Sequence, residues 1–348
     1  MESSFVCTPR SMVTMLYSLN VNPHSGKPHM VRCRGWTTLL VGIILLLGYG
    51  WDCPAQRRFL TPADVNALPS KPPDHRLFYG RGSLQFGDLR LPEGSGPYPV
   101  AIVIHGGCWL SRFADVRNTA ALADALRDAG IATWNIEYRR LDDPGGGWPG
   151  TFQDVARATD YLRSIAEKYH LDLHRVVVIG HSSGGHLALW VAARHRLPRT
   201  SAVYTPRPLP VRGVIALGGP GDLKRFMRHA RSVCGDRVVT KLLGGTPDEV
   251  PDRYRQASPI ELLPLGVPQI LITGKYDRAV PPEYGQAYAE AARKSGDTVR
   301  HIIVDRAAHH EYNAPQAVTW PAIKSAVFSL LQLGDSGPSN EHRRGRSQ

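Results

Sequence analysis

The stretch VVVIGHSSGGHLALW, residues 176–190, joins an apolar run to a helix-favouring run through a glycine-rich turn. Four aliphatic residues precede Gly180, and the helical pattern begins beside Gly184. A G-x-S-x-G sequence between a buried strand and a helix is typical of a sharp, strained turn that exposes the central hydroxyl. Ser182 is therefore the candidate nucleophile, and the backbone N–H of Ser183 is a candidate donor to an oxyanion.

A glycine-rich helix start with a capping serine is the alternative interpretation of this stretch. The four preceding aliphatic residues and the following helix favour the turn instead. His181 and His186 lie too close in sequence to Ser182 to serve as its base, so we interpret them as packing or hydrogen-bonded residues.

The rest of the body alternates short apolar runs with longer amphipathic ones. Strands that are apolar throughout and alternate with helices indicate a parallel sheet covered on both faces. We count eight candidate strands, and the first two read as an antiparallel pair. The pattern predicts an α/β fold with a mostly parallel eight-stranded sheet and one catalytic domain over residues 75–333. Within it, the irregular segment from about 218 to 265 predicts a small helical excursion.

A serine nucleophile needs a base, and that base needs an acid to orient it. In folds with this turn the acid and then the histidine follow the serine along the chain. Asp277 follows the run PQILITG, and His309 and His310 follow VRHIIVD. These are the catalytic candidates, with Asp222 as the reserve acid. A turn or helix-capping role before Pro281 is the alternative for Asp277.

The stretch VIHGGCW, residues 103–109, follows another predicted strand. Consecutive glycines let backbone N–H groups approach a substrate oxygen, so Gly106 and Gly107 join Ser183 as candidate oxyanion-hole donors. We expect the histidine of this stretch to brace the loop through hydrogen bonds. Trp109 is the candidate substrate-binding residue, as a wall of the pocket. An ordinary strand-to-loop turn is the alternative interpretation.

The composition narrows the possible partners. The formal net charge is +12, but no zinc-finger, helix-turn-helix or aromatic RNA-binding pattern accompanies it, so we expect no nucleic-acid partner. No cysteine spacing resembles a metal site, and no cofactor motif is present. We therefore expect the protein to use no metal and no cofactor. Cys108 and Cys234 are the two cysteines of the body, and the sequence leaves open whether they pair.

The N-terminal residues 1–60 have the composition of a leader. Arg32 and Arg34 precede an apolar run over residues 36–51, which is shorter than the ~20 residues that span a bilayer. This pattern predicts an export signal or a signal anchor, and hence an exported or membrane-anchored protein with possible membrane attachment through the run. Residues 334–348 are low in apolar residues and predict a disordered tail.

Together these motifs resemble the α/β-hydrolase superfamily, in particular its esterase and arylformamidase-like branch with an HGG-W loop. The resemblance covers about residues 75–333. It rests on VIHGGCW, NIEYRR, GWPGTFQDV, GHSSGGHLALW, SPIELLP, ILITGKYD and RAAHHEYNAP. In the last stretch His309 aligns with the family's histidine, which favours it over His310, and the family's glycines are replaced. The resemblance implies an α/β-hydrolase fold and a metal-free acyl-transfer hydrolase.

The expected function is a serine hydrolase that cleaves carboxylic esters or activated N-formyl or aryl amides of small molecules. A prolyl-oligopeptidase-like peptidase is the enzymatic alternative, and a non-catalytic binding module is the other. The sequence leaves the substrate and the oligomeric state open. Trp148, Phe226 and Met227 are further residues that could line a substrate pocket or pack in the core.

Overall fold

The computed structural model of the protein describes residues 58–333. The predicted leader up to residue 57 and the predicted tail over 334–348 lie outside the described residues. The described strands form one sheet in the order β1-β2-β4-β3-β5-β6-β7-β8. Their bounds are β1 His75–Phe78, β2 Phe86–Arg90, β3 Tyr98–Ile104, β4 Ala132–Ile136, β5 Leu171–His181, β6 Gly213–Leu217, β7 Gln269–Gly274 and β8 Val299–Val304.

The sheet is mostly parallel, as predicted. Strand β2 pairs antiparallel with both β1 and β4, and every other neighbouring pair is parallel. The prediction of eight strands with an antiparallel leading pair is confirmed for residues 58–333. The carboxyl ends of β3, β5, β6, β7 and β8 therefore meet at one edge, where loops from distant parts of the chain come together.

Helices cover both faces of the sheet. Their bounds are α1 Pro62–Asn66, α2 Ala120–Asp128, α3 Gly150–Ile165, α4 Ser183–Ala193, α5 Leu223–Val233, α6 Val238–Leu243, α7 Pro251–Ala257, α8 Pro282–Lys294 and α9 Trp320–Leu331. The three helices α5, α6 and α7 form the excursion predicted over about 218–265. Helix α9 begins at Trp320 with Pro321 in its first turn, where a missing N–H costs nothing.

Two apolar cores follow from the alternation of side chains along each strand. On β3, Val100 and Ile102 contribute to a core shared with α3 and α4, while Ala101 and Val103 contribute to the core shared with α2 and α9. Because both faces are buried, the strand is apolar at every position. This is the physical reason that β3 and β5 read as continuous apolar runs.

The segment leading into the body packs against it. Val65 of α1 is buried, and the backbone N–H of Leu60 donates to Glu311 Oε1 at 2.7 Å. Glu311 Oε2 accepts from the backbone N–H of Ala308 at 3.0 Å. One carboxylate thus ties the entering chain to the loop after β8. Across residues 58–333, no helix has the length and apolar character needed to cross a membrane.

Cys108 and Cys234 form a disulfide bond, which settles the pairing that the sequence leaves open. The bond joins the loop after β3 to the residue that ends α5, and its two cysteines are 126 residues apart. A crosslink that closes a long loop reduces the conformational freedom of the unfolded chain.

We expect the double variant Cys108→Ser with Cys234→Ser to lose about 2–4 kcal/mol of unfolding free energy, because that restriction is removed. Equilibrium denaturation of the oxidised protein measures the loss. Treatment with a reductant should lower the denaturation midpoint of the wild type and leave that of the double variant unchanged. Equal midpoints for both proteins in the absence of reductant would contradict the prediction.

Candidate active site

Ser182 lies on a sharp turn between β5 and α4. Its backbone has φ 55° and ψ −120°, a strained conformation for a residue with a side chain. A Cβ atom on Gly184 would lie 2.2 Å from the carbonyl oxygen of Ile104, and one on Gly180 would lie 2.1 Å from the oxygen of Gly184. Only glycine fits at these two positions. The turn is therefore built by the G-x-S-x-G sequence itself.

Asp277 lies just after β7 and is 3% exposed. Its Oδ1 accepts the backbone N–H groups of Ala279 and Val280 at 2.9 and 2.8 Å. Its Oδ2 accepts from His309 Nδ1 at 2.8 Å and from the Tyr312 hydroxyl at 2.9 Å. The carboxylate therefore holds a turn and orients a histidine at the same time, so the two roles considered for Asp277 coexist.

His309 and Ser182 line one cavity of about 200 Å³. Since Asp277 only accepts, the proton on His309 lies at Nδ1, which leaves Nε2 free to take a proton. The hydrogen bonds of residues 58–333 do not include one between Ser182 Oγ and His309. Catalytic hydrogen bonds are often long without substrate and tighten when it binds.

Asp222 and His310, the alternatives to Asp277 and His309, do not form the acid–histidine pair. The Asp222 side chain caps α5 by accepting the backbone N–H of Arg225 at 3.0 Å. His310 lines the cavity, but its buried Nδ1 has no partner among the described residues. Burial, followed by the charge of His309, lowers the pKa of His310 to about 4. Asp277 and His309 are the acid and histidine that the structure brings together.

The loop after β3 lies against the turn. Gly107 and Cys108 line the cavity, and Gly106 packs against the serine turn, where an added Cβ would be 2.7 Å from the carbonyl oxygen of His181. The N–H groups of Gly107, Cys108 and Ser183 find no acceptor within the described range. Cys108 is a donor candidate that sequence reasoning missed, because only the fold shows how far the loop extends along the cavity.

His105 and Trp109 flank these donors. His105 Nε2 lies 2.9 Å from Glu137 Oε1, and the Tyr138 hydroxyl donates to the His105 carbonyl at 2.9 Å, so the histidine braces the loop as expected. Trp109 is 1% exposed and packs its ring edgewise against His186 at 5.3 Å. It belongs to the core and does not line the cavity, because the loop turns its side chain inward.

Apolar side chains form the rest of the cavity wall. Pro62, Phe113, Val233 and Ala279 contribute to it, and no Asp, Glu, Lys or Arg is among its described lining residues. A neighbouring cavity of about 530 Å³ shares His309, His310, Val233 and Ala279 and adds Phe59, Tyr276 and Arg278. Trp148, Phe226 and Met227 line neither cavity, and Phe226 is buried in the core. Residues 58–333 contain no group of three or more His, Cys, Asp or Glu that could hold a metal ion.

Comparison with protein families places the chain in one of them. The BD-FAE family model matches residues 88–291, more than half of the 348 residues. The chain belongs to the BD-FAE family. Its matched region runs from β2 into α8 and includes Ser182 and Asp277, while His309 follows it. The α/β-hydrolase fold expected from the resemblance is confirmed.

Several known proteins are similar to this BD-FAE chain. Esterase LipC of Mycobacterium tuberculosis is 27% identical over 82% of this chain and 71% of its own length. Kynurenine formamidase avaC of Aspergillus versicolor is 34% identical over 36% of this chain and 45% of its own. The crystal structure of esterase B from Lactobacillus Rhamnosis (HN001) superimposes on this chain with a TM-score of 0.64 and 20% sequence identity. The match covers 78% of this chain and 90% of esterase B, and it shows a shared fold.

Sequence reasoning missed the residues that support the triad of candidates. Tyr312 donates to Asp277, and Asn313 donates to both Asn118 and His181. The signal for Tyr312 was its place three residues after His309, in the same loop. Nothing in the sequence marks the pairing of Asn118 with Asn313, because 195 residues separate them.

We expect Gly184→Ala to cost about 3 kcal/mol of unfolding free energy or more, because its Cβ would meet backbone oxygens that cannot move aside. Gly130→Ala is the matched control: its φ is +88° and no atom lies within 4 Å of the added Cβ. Its cost should come from the left-handed backbone alone, about 1 kcal/mol. Chemical denaturation measures the loss of unfolding free energy in the two variants. Equal losses would show that the close contact with backbone oxygens is not the reason for glycine at residue 184.

Proposed function

We propose that this protein is a serine hydrolase that cleaves carboxylic esters through an acyl-enzyme intermediate. The observation that carries the proposal is the 2.8 Å bond from His309 Nδ1 to Asp277, with His309 and Ser182 lining one cavity. A base oriented by a carboxylate, in the same cavity as a serine hydroxyl, is the arrangement that activates serine. The likeness to an esterase over most of the chain supports ester substrates.

In the first half of the reaction Ser182 Oγ attacks the carbonyl carbon of the ester. His309 Nε2 accepts the hydroxyl proton, and Asp277 stabilises the charged imidazole that forms. The developing oxyanion accepts from the backbone N–H groups at Gly107, Cys108 and Ser183, which lie beside the positive end of α4. The protonated histidine then gives its proton to the leaving alcohol, and the acyl group remains on the serine.

Water completes the cycle. His309 Nε2 removes a proton from a water molecule, which attacks the acyl carbon, and the serine leaves with the proton from the histidine. An apolar cavity suits the uncharged part of an ester. Activated N-formyl or aryl amides are a second substrate class, supported by the stretch that resembles kynurenine formamidase.

We expect Ser182→Ala to lose at least about a thousandfold in kcat on an aryl ester while keeping the wild-type denaturation midpoint, because the nucleophile is removed and the fold is not. Ser295→Ala is the control: it deletes a serine hydroxyl that donates to the Ala291 carbonyl at the end of α8 and does not line the cavity, so kcat should stay at the wild-type value. Steady-state kinetics on both variants tests the assignment. Wild-type turnover by Ser182→Ala would rule out this mechanism.

A panel of substrates distinguishes an ester hydrolase from the two alternative functions, a peptidase and a binding module. We expect short-chain aryl esters to be turned over faster than N-formyl aryl amides, and both faster than blocked peptides. Faster cleavage of the peptides would favour the oligopeptidase alternative. Absence of turnover on every substrate, together with no reaction with a fluorophosphonate, would favour the binding module.

We also propose that the protein is exported, either released or held at a membrane through residues 36–51. The Cys108–Cys234 bond supports this location, because such bonds persist in oxidising compartments. Fractionation of cells that express the full chain, followed by N-terminal sequencing, tests the proposal. We expect the protein outside the cytoplasm, and recovery from the cytoplasm with both cysteines reduced would contradict it.

A further inference from the structure

His181, the residue before the candidate nucleophile, makes two hydrogen bonds inside the protein. The residue is 3% exposed, with Nε2 at 2.8 Å from the carbonyl oxygen of His309 and Nδ1 at 2.9 Å from the amide nitrogen of Asn313. Its ring centre lies 4.7 Å from that of His309. The side chain thus joins the serine turn to the backbone of the histidine loop.

The partners of His181 decide where its proton lies. The carbonyl of His309 can only accept, so Nε2 carries the hydrogen and donates it. The amide nitrogen of Asn313 can only donate, so Nδ1 is an acceptor and carries none. Both bonds are satisfied by one neutral tautomer, whereas a doubly protonated ring would point an N–H at the Asn313 amide.

A chain of amides fixes the orientation of Asn313. Its Nδ2 also donates to Asn118 Oδ1 at 2.8 Å, and Asn118 Nδ2 donates to Asn66 Oδ1 at 3.1 Å. Both hydrogens of the Asn313 amide are therefore used, one by Asn118 and one by His181. Turning this amide over would place an oxygen against Asn118 Oδ1, where two acceptors would repel.

The surroundings also oppose a charge on His181. Burial, followed by the positive charges of His309 and His310, places the pKa of His181 well below its ordinary value. The titratable rings beside His181 are those of His309, His310 and Tyr312. The charge of His105 also acts on it, and Asp277 is bonded to His309. A neutral His181 adds no positive charge beside His309 when that ring becomes cationic during the reaction.

We propose that His181 is a positioning residue, which holds the backbone of His309 through its Nε2–H and is kept in that tautomer by Asn313 and Asn118. The inference rests on the proposed function. His181 also lines the cavity, but both of its ring nitrogens are used by these bonds, so it acts on the reaction through His309 and Asn313 and offers no polar ring atom to the ester. It fixes the distance between the serine turn and the catalytic imidazole, and a displacement of about 1 Å in such a contact can cost about a hundredfold in rate.

Three substitutions at this position separate the role from simple packing. His181→Gln places an amide N–H where Nε2 lies and an oxygen that can accept from Asn313, so we expect kcat within about threefold of wild type. His181→Asn reaches only the Nδ1 position, and His181→Leu keeps the apolar bulk without either bond. For these two we expect kcat to fall about 10- to 100-fold, with KM within about threefold.

His186→Leu is the matched control. His186 is equally buried, and its Nε2 bonds the carbonyl oxygen of Ala257 at 2.9 Å, away from His309. We expect this variant to lose stability and keep kcat. All rates are normalised to active sites titrated with a fluorophosphonate, so that unfolded protein does not count as lost activity. Wild-type kcat in His181→Leu, an equal loss in His186→Leu, or no advantage of Gln over Asn would overturn the proposal.

A measurement without substrate tests the tautomer itself. In ¹⁵N-histidine NMR spectra of the wild type we expect His181 to stay neutral, with its proton on Nε2, through the pH range in which a free histidine side chain becomes protonated. A proton on Nδ1, or titration near the ordinary histidine pKa, would overturn the proposal whatever the enzyme cleaves. Failure of the proposed function is recognised separately, since the wild type would then neither turn over esters nor react with the fluorophosphonate.

Discussion

The left-handed backbone at Ser182 is the constraint on which the rest of the site depends. With φ at 55° the chain leaves β5 and enters α4 within one residue, and the serine hydroxyl is pushed toward the cavity. The turn exists only because Gly180 and Gly184 leave room for neighbouring carbonyl oxygens. Strain of this kind persists when the surrounding structure determines it. Here the surroundings are the central strands of the sheet, which are buried on both faces.

The parallel sheet then brings the other groups to the same edge. Asp277 follows β7 and His309 follows β8, and these two strands are neighbours, so an acid and a histidine that are 32 residues apart meet at 2.8 Å. The loop after β3 reaches the site from the other side of β5. The disulfide from Cys108 to Cys234 secures that loop to the helical excursion. Each candidate group is thus placed by backbone that ends a strand.

Much of this arrangement could be predicted from the sequence because it depends on local sequence patterns. Apolar runs predicted the strands, the two glycines predicted the turn at Ser182, and the positions just after two predicted strands indicated Asp277 and His309. The position of Trp109 could not be predicted in the same way, since its inward orientation is set by packing against His186 from another element. The same holds for the amide chain from Asn66 through Asn118 to Asn313, whose members are brought together only by the folded structure.

The most direct measurement of the central claim is peptide mapping by mass spectrometry after the intact protein reacts with a fluorophosphonate. A base-activated alcohol at residue 182 predicts one stoichiometric adduct, located on Ser182 and absent from Ser183. An adduct on another residue, or an unmodified protein that is folded by circular dichroism, would contradict the account.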